Sequence, residues 1–462
     1  MRFIRFSPGE RKLLLCLIDL LALNLGLMAG LSLRPEYPFS FDLFKKHPLW
    51  FALPSLVWLL SSWALDLYEG EVSFSLPRLV KRLFLSAVFT FSFLLLVPYL
   101  TPPLPQRRHL VYGAFGIFLL FIFGGRIICW FLLRHPSFCR RLLVVGIGKG
   151  AEALFHLLKE ASNPSYQLIG FLKETEDPNP PEGRLFPVLG SLKELKEIAL
   201  KEKVDTLVLA PEGKMAGEII QDLQDLLELG IRIIPLPHLF EEISGRIPIE
   251  LIGESWLVSL PLDHPLNRPL HRAIKRGFDI ILASLGLIFF LPLLPFLALL
   301  IYLDHPGPIF YTQLRVGRNG RLFKLYKLRS MIPEAEKKGP QWAQKNDPRI
   351  TRIGRFLRRT HLDEFPQLFN IIKGDMSVVG PRPERPEFVE ELSKEIPFFR
   401  LRHMVKPGMA GWALVKYGYA ASKEDTLFKL QYDLYYIKNW SLWLDIVILL
   451  KTVLDAVTLR GR

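Results

Sequence analysis

Five apolar runs, each long enough to cross a lipid bilayer, constrain this chain more than any other feature. Four lie at about residues 11–32, 47–66, 82–101 and 109–133, and the fifth runs from Phe278 to Asp304. A hydrocarbon core is crossed by roughly 20 consecutive apolar residues in a helix. In lipid the backbone polar groups must be satisfied internally, so these runs are expected to be helices. The rest of the composition agrees with a membrane protein. Half of the 462 residues are hydrophobic and the net charge is +14. On such a chain, excess positive charge points to anionic membrane lipids or to substrates that carry phosphate. No zinc-finger, helix-turn-helix or RNP pattern is present, so no nucleic acid partner is expected. The three cysteines, Cys16, Cys129 and Cys139, are odd in number and two lie in apolar runs, which gives neither a disulfide framework nor a metal spacing. The first run has no small-residue cleavage site after it and reads as a permanent anchor.

Orientation follows from the loop charges. Arg2, Arg5, Arg11, Lys12, Arg78, Lys81, Arg82, Arg134, Arg140 and Arg141 fall on one side of the first four runs. Only Arg34, Lys45, Lys46, Arg107 and Arg108 fall on the other. The positive-inside rule places both ends of this bundle in the cytoplasm. Two charges lie inside the runs. Asp19 follows Arg11 by eight residues and Arg126 precedes Arg134 by eight. At 1.5 Å per residue each sits roughly 12 Å from the same boundary, which predicts an intramembrane ion pair.

The fifth run is different. Basic residues precede it (His271, Arg272, Lys275 and Arg276), and between Phe310 and Thr360 there are 14 Lys or Arg against 3 Asp or Glu. Basic flanks on both sides place both ends in the cytoplasm. Pro292 and Pro295 lie mid-run, where proline removes a backbone hydrogen bond and kinks a helix. The expectation is a re-entrant helix, 278–303, that bends at Pro292 and returns to its own side.

Between the bundle and that helix, "RLLVVGIGKGAEALFHLLKEA", "YQLIGFL", "VDTLVLA" and "IRIIPL" read as buried strands, with helical patterns between some of them. This predicts a parallel α/β sheet over about 140–240. The turn through Gly146, Gly148 and Gly150 approximates a dinucleotide fingerprint, but no clear acidic residue ends the second strand, and Glu174 comes only after a lysine. It is read as a tight turn that binds nothing or a regulatory ligand, with cofactor binding left open.

"RRTHLDEFPQLFNIIKGDMSVVGPRP", Arg358 to Pro383, holds adjacent carboxylates, Asp363 and Glu364, between a pair of arginines and a Gly-Pro-Arg-Pro turn. Phosphate chemistry needs charge neutralised, a metal held and a nucleophile aimed. The carboxylates supply nucleophile and metal ligand, and Lys327, Arg329, Arg358 and Arg382 are candidate phosphate clamps. "RITRIGRFLRRT" places Ile350, Ile353, Phe356 and Leu357 on one helical face, suited either to a headgroup plane or to a core.

With "KRGFD", "DHPGPIFYTQLRVGRNGRLFKLYKLRSM", "RHMVKPGMAGWALV" and "KLQYDLYYIKNWSLWLDIVILLKTV", these stretches cover nearly all of 272–453. Together they resemble the bacterial sugar transferases, the polyprenyl-phosphate phosphoglycosyl transferases with a monotopic catalytic core. The N-terminal bundle and α/β segment resemble the large, exopolysaccharide-type members. The resemblance implies a membrane helical bundle (1–138), a Rossmann-like cytoplasmic domain (139–262) and a mainly α catalytic domain (263–462). It also implies a reaction: UDP-sugar plus polyprenyl phosphate gives polyprenyl-diphosphate-sugar plus UMP, at the cytoplasmic face of a bacterial inner membrane. Asp363 would attack the sugar-proximal phosphate to form a phosphosugar-enzyme intermediate, and Glu364 would hold Mg²⁺. Two departures are visible: the family usually has Ser-Pro where this chain has Leu291-Pro292, and Phe where it has Leu328. A membrane-anchored nucleotide-sugar dehydratase or epimerase would need a Tyr-x-x-x-Lys pair in the α/β segment, and the only such spacing is Tyr419 to Lys423. A non-enzymatic scaffold would leave the Asp363 cluster without a purpose. The sequence fixes neither the sugar nor the oligomeric state, and a homodimer is compatible with it.

Overall fold

The computed structural model describes residues 6, 8–73, 75–97, 101–102, 107–133, 135, 138–160, 165–173, 187–210, 217–251, 268–333, 335, 347–418 and 422–457. They form two compact units, Met1–Ser244 and Gly245–Arg462. The expected boundary at 262, like Glu174 and Tyr419, lies outside the described residues.

The first unit opens with helices α1 (Pro8–Leu31), α2 (Leu49–Ala64), α3 (Leu76–Leu96) and α4 (Arg108–Leu133). α1, α3 and α4 are long and apolar enough to cross a membrane. α2 differs from expectation: only 16 residues of the second run are helical, with Pro54 inside. At 1.5 Å per residue such a helix is about 24 Å long, short of a full hydrocarbon crossing. α1 meets α4 closely because Gly26 and Gly30 lie one turn apart on the contact face. A Cβ on either would come within 3.2 Å of Phe118 Cα or Ala114 Cβ respectively. Small residues four apart let two helix backbones approach in lipid, where van der Waals packing drives association.

The ion pair expected between α1 and α4 is present. Arg126 Nε lies 2.7 Å from Asp19 Oδ1, and Arg126 Nη2 donates to Asp19 Oδ2 at 2.8 Å. Trp58 Nε1 and Tyr68 OH also donate to Oδ2, at 3.2 and 3.0 Å. Both charges are almost fully buried. The matched depths of the two residues on antiparallel helices make the pairing available, and the cost of an isolated charge in lipid makes it favourable.

The α/β segment is the expected parallel sheet. Strands β1 (Arg140–Val145), β2 (Tyr166–Lys173), β3 (Val188–Ser191), β4 (Thr206–Leu209) and β5 (Arg232–Pro235) lie in the order β3-β2-β1-β4-β5, and every pairing is parallel. Helices α5 (Lys149–Glu160), α6 (Leu195–Lys201), α7 (Gly217–Glu228) and α8 (Leu236–Ser244) follow β1, β3, β4 and β5 respectively. The β1–α5 turn requires a glycine at Gly146, where φ is 107°.

The second unit is built on α9, a single 36-residue helix, Pro269–Asp304, that passes through Pro292 and Pro295. The expected break at Pro292 is therefore not an interruption of the helix. The hairpin β6 (Phe310–Val316) and β7 (Leu322–Leu328) follows. Then come α10 (Arg352–Arg359), α11 (Gln367–Lys373), β8 (Ser377–Val379), α12 (Pro386–Glu395), β9 (Gly408–Ala410), α13 (Trp412–Lys416), α14 (Lys423–Lys438) and α15 (Leu442–Val457). Both halves of α9 enter one core. Leu287 and Phe290 from its first half and Leu297 and Ile301 from its second join Leu368, Ile371, Leu430, Leu434 and Ile448. Each end is also tied by polar bonds. Asp279 Oδ1 accepts from Ser377 Oγ and Val378 N at 2.8 and 3.0 Å. Asp304 Oδ2 accepts from Ile353 N at 3.0 Å. α10 packs on this core through Leu357, while Phe356, predicted on the same face, is exposed. An eight-residue helix gives Ile353 and Leu357 one direction, and Phe356 points about 100° away.

Candidate active site

The carboxylate pair does not sit on an α-helix. α10 starts at Thr351, whose hydroxyl accepts from Gly354 N at 2.9 Å. It stops before His361, which takes the left-handed conformation at φ 57°. The chain then makes one 3₁₀ turn, Leu362–Glu364, before Pro366 starts α11. That turn directs both Asp363 and Glu364 inward, and both are buried. β7 brings Lys327 to them, and its position is fixed by Asn370. Asn370 Nδ2 donates to Lys324 O at 2.7 Å and its Oδ1 accepts from Tyr326 N at 3.1 Å.

Glu364 is the anchor of the cluster. Its Oε1 accepts from Lys327 Nζ at 2.9 Å and from Arg382 Nη2, while Arg382 Nη1 donates to Oε2 at 3.2 Å. Burial alone would push this carboxyl up, but Arg382 and Lys327 together hold it well below the ordinary range. Asp363 makes no hydrogen bond or ion pair among the described residues. Burial pushes its carboxyl up to about 6, against the opposing pull of Lys327, and the Glu364 charge pushes the same way as burial. Burial likewise lowers Lys327, although Glu364 opposes it. One carboxylate is thus paired with two cations and its neighbour is left open, a division of roles set by environment.

Arg382 stands on the Gly-Pro-Arg-Pro loop, which is clasped from both sides. Arg402 Nη2 donates to Arg382 O at 2.9 Å and Arg315 Nη1 to Pro383 O at 3.1 Å. Gly380 admits no side chain, because a Cβ there would lie 2.4 Å from Lys406 O. Arg358 reaches the site's edge: its Nε donates to Ser330 Oγ at 2.9 Å, and its charge lowers the pKa of Asp363. Arg329 is the exception among the expected phosphate clamps. It is buried, and its guanidinium donates to the carbonyls of Ile301, His305 and Pro306. His305 and Pro306 follow the last residue of α9, and Arg329 binds their carbonyls and that of Ile301 instead of facing the carboxylates.

Two residues that the sequence reading did not single out belong to the site's support. Arg402 Nη2 also donates to Asp433 Oδ2 at 2.9 Å. Burial raises Asp433 to about 6, against the pull of Arg402. Both lie in the stretches "RHMVKPGMAGWALV" and "KLQYDLYYIKN", and an Arg and an Asp set among apolar residues was the available signal.

A family model described as bacterial sugar transferase matches residues 270–459, the whole of this cluster. A protein of Escherichia coli named UDP-glucose:undecaprenyl-phosphate glucose-1-phosphate transferase is 34% identical over 330 residues, 70% of this chain and 68% of that protein. The chain belongs to the bacterial sugar transferase family. An uncharacterized sugar transferase of Haemophilus influenzae is 30% identical over 406 residues, 84% of this chain and 83% of its own length. A UDP-N-acetylgalactosamine-undecaprenyl-phosphate N-acetylgalactosaminephosphotransferase of Aeromonas hydrophila is 44% identical over 247 residues, 54% of this chain and 57% of that protein. A second model, described as a CoA-binding domain, matches residues 63–237 of this bacterial sugar transferase. With its long apolar helices, this family member is a membrane protein.

Proposed function

We propose that this chain transfers a sugar-1-phosphate from a UDP-sugar to undecaprenyl phosphate, releasing UMP, as the first membrane step in assembling a polysaccharide. The observation that carries the reading is the unequal pair: an open Asp363 beside a Glu364 paired with Lys327 and Arg382. In the first step an Asp363 oxygen attacks the sugar-proximal phosphorus. The bond from that phosphorus to the bridging oxygen breaks, and UMP leaves with the bridging electrons. In the second step an oxygen of the polyprenyl phosphate attacks the same phosphorus and Asp363 departs as carboxylate. A covalent step lets two dissimilar substrates use one site in turn. Lys327 and Arg382 are positioned to share charge with the diphosphate, and Arg358 also stands near enough to act on Asp363.

The donor set fits Mg²⁺. Mg²⁺ is commonly held by one or two carboxylates together with substrate phosphates. Glu364 Oε2 accepts only the 3.2 Å bond from Arg382 and retains a lone pair for it. When bound, Mg²⁺ would neutralise diphosphate charge.

In this reading α9 is re-entrant, bending near Pro292, and the catalytic unit lies on the cytoplasmic face of the bacterial inner membrane. Basic residues on both flanks of α9, and the anchoring of both its ends in one core, support it. The lipid phosphate would then be met at the interface without extraction of the lipid.

The names of the relatives divide among N-acetylgalactosamine, glucose and galactose. The test is UMP release by the purified full chain in nanodiscs containing polyprenyl phosphate, across UDP-glucose, UDP-galactose and UDP-N-acetylgalactosamine. One sugar should support turnover, and Asp363→Asn should abolish both turnover and labelling of the protein by the sugar phosphate. Absence of UMP with every donor, or a labelled Asp363→Asn protein, overturns the proposal.

A further inference from the structure

At the far end of α11 from the catalytic pair, four cations from three separate segments converge. Arg272 and Arg276 lie on the first turns of α9, Arg318 in the β6–β7 turn, and Lys406 before β9. Arg276 donates to Ile371 O and Ile372 O at 2.5 and 2.6 Å, capping the end of α11. A Cβ on Gly374, the left-handed residue that ends α11, would lie 3.6 Å from both Arg276 Nη2 and Lys406 Nζ. Lys406 therefore stands one small side chain's reach from a guanidinium. Neither the Lys406 nor the Arg318 side chain has a hydrogen bond or ion pair among the described residues, and Arg318 Nε is buried without a partner. Burial and the neighbouring cations lower the basicity of both: Arg276 and Arg318 act on Lys406, and Arg272 acts on Arg318.

The nearby acids Asp279 and Asp375 offset the charge at Lys406 only in part, since both are engaged elsewhere. Asp279 is engaged by Ser377 Oγ and Val378 N, and Asp375 pairs with Lys373 at 3.1 Å. Arg276, Arg318 and Lys406 are half-buried, and like charges held together at such an edge are unfavourable unless an anion joins them. The position identifies the anion's chemistry. Leu270, Ile274, Ile280 and Ile281 on α9 are exposed apolar residues beside Arg272 and Arg276. The cations thus mark the seam where α9 passes from a polar to an apolar environment, the depth of phospholipid phosphates. Guanidinium and ammonium donors together suit tetrahedral phosphate oxygens.

We propose that Arg272, Arg276, Arg318 and Lys406 form a phosphate-binding site, separate from Asp363 and Glu364, that holds the headgroup of an anionic bilayer lipid. The seven residues of α11, about 10 Å of helix, separate it from the catalytic pair. A lipid bound there would fix the entry of α9 into the membrane relative to β6–β7 and β9.

The experiment uses the detergent-solubilised full chain, titrated with short-chain phosphatidylglycerol, phosphatidylcholine or inorganic phosphate, with the thermal unfolding midpoint as readout. Phosphatidylglycerol should raise the midpoint and phosphatidylcholine should not. Arg318→Gln with Lys406→Gln should weaken the phosphatidylglycerol response at least tenfold in concentration. The charge-retaining pair Arg318→Lys with Lys406→Arg should preserve it, which separates loss of the site from misfolding. An equal response to both lipids, or an undiminished response in the Gln pair, overturns the site. A full response to inorganic phosphate alone overturns the lipid as its source. The readout is independent of turnover, so failure of the proposed reaction and failure of this site are distinguishable.

Discussion

Removing both charges of the Asp19–Arg126 pair should cost far less than the sum of removing each alone. In Asp19→Asn the Arg126 guanidinium stays at 2% exposure beside a neutral amide. It loses a carboxylate that meets it through both oxygens, at 2.7 and 2.8 Å. Breaking a buried pair from one side costs about 3–5 kcal/mol, because a charge is left uncompensated. Interhelical hydrogen bonds in membranes couple by only about 0.6 kcal/mol on average, with a maximum near 1.7. Trp58 and Tyr68 can still bond an asparagine oxygen, which reduces the loss. Balancing these, each single change, Asp19→Asn or Arg126→Gln, should destabilise by about 3 kcal/mol, and the double change by about 4 kcal/mol rather than the sum. The coupling is then about 2 kcal/mol, above the membrane average because the pair is charged and bidentate. Reversible unfolding of the full chain in mixed micelles, monitored by tryptophan fluorescence, measures all four corners of the cycle. Single changes that add within about 0.5 kcal/mol would show that the two residues are not coupled, and the reasoning from matched depth would fail.

Three further outcomes follow from the same geometry. If Asp363 attacks as a carboxylate, kcat/KM should rise tenfold per pH unit below about 6 and level off above it, since burial places the carboxyl there; a profile flat from pH 5 to 8 would remove Asp363 as the titrating nucleophile. Arg329→Gln should lower the unfolding midpoint by removing the cap from α9, at about 1.5–3 kcal/mol for a charged hydrogen bond, and leave KM for the UDP-sugar unchanged; a raised KM with unchanged stability would return Arg329 to the phosphate clamps. Gly30→Leu should push α1 from α4, since even a Cβ comes within 3.2 Å of Ala114, and destabilise by about 1–3 kcal/mol; wild-type stability would mean that the two helices do not depend on this close approach.

What could be read from the sequence, and what could not, divides along one physical line. The helices and the parallel strands rest on local periodicity, so apolar runs and glycine turns located them. The depth of Asp19 and Arg126 is also local, a count of residues from a charged boundary, and the pair followed from it. The second run was overestimated because hydropathy measures how many residues are apolar, whereas only Leu49–Ala64 is helical. The carboxylate cluster was legible as a set of residue types but not as a wiring. Lys327 and Arg329 lie two apart in β7 and its exit, so they project in the same direction if the strand continues. The strand ends at Leu328, and Arg329 instead turns to the end of α9. A stretch of sequence does not record where a partner's carbonyls stop being satisfied. Arg402 and Asp433 escaped for the related reason that they act through Arg382 O, a backbone atom with no residue type to mark it. The same logic explains why Arg318 and Lys406 drew no notice: each is one basic residue among many in a chain of +14 charge. Only the fold shows that they share a small space with Arg276, and it is that convergence, not their charge alone, that calls for an anion.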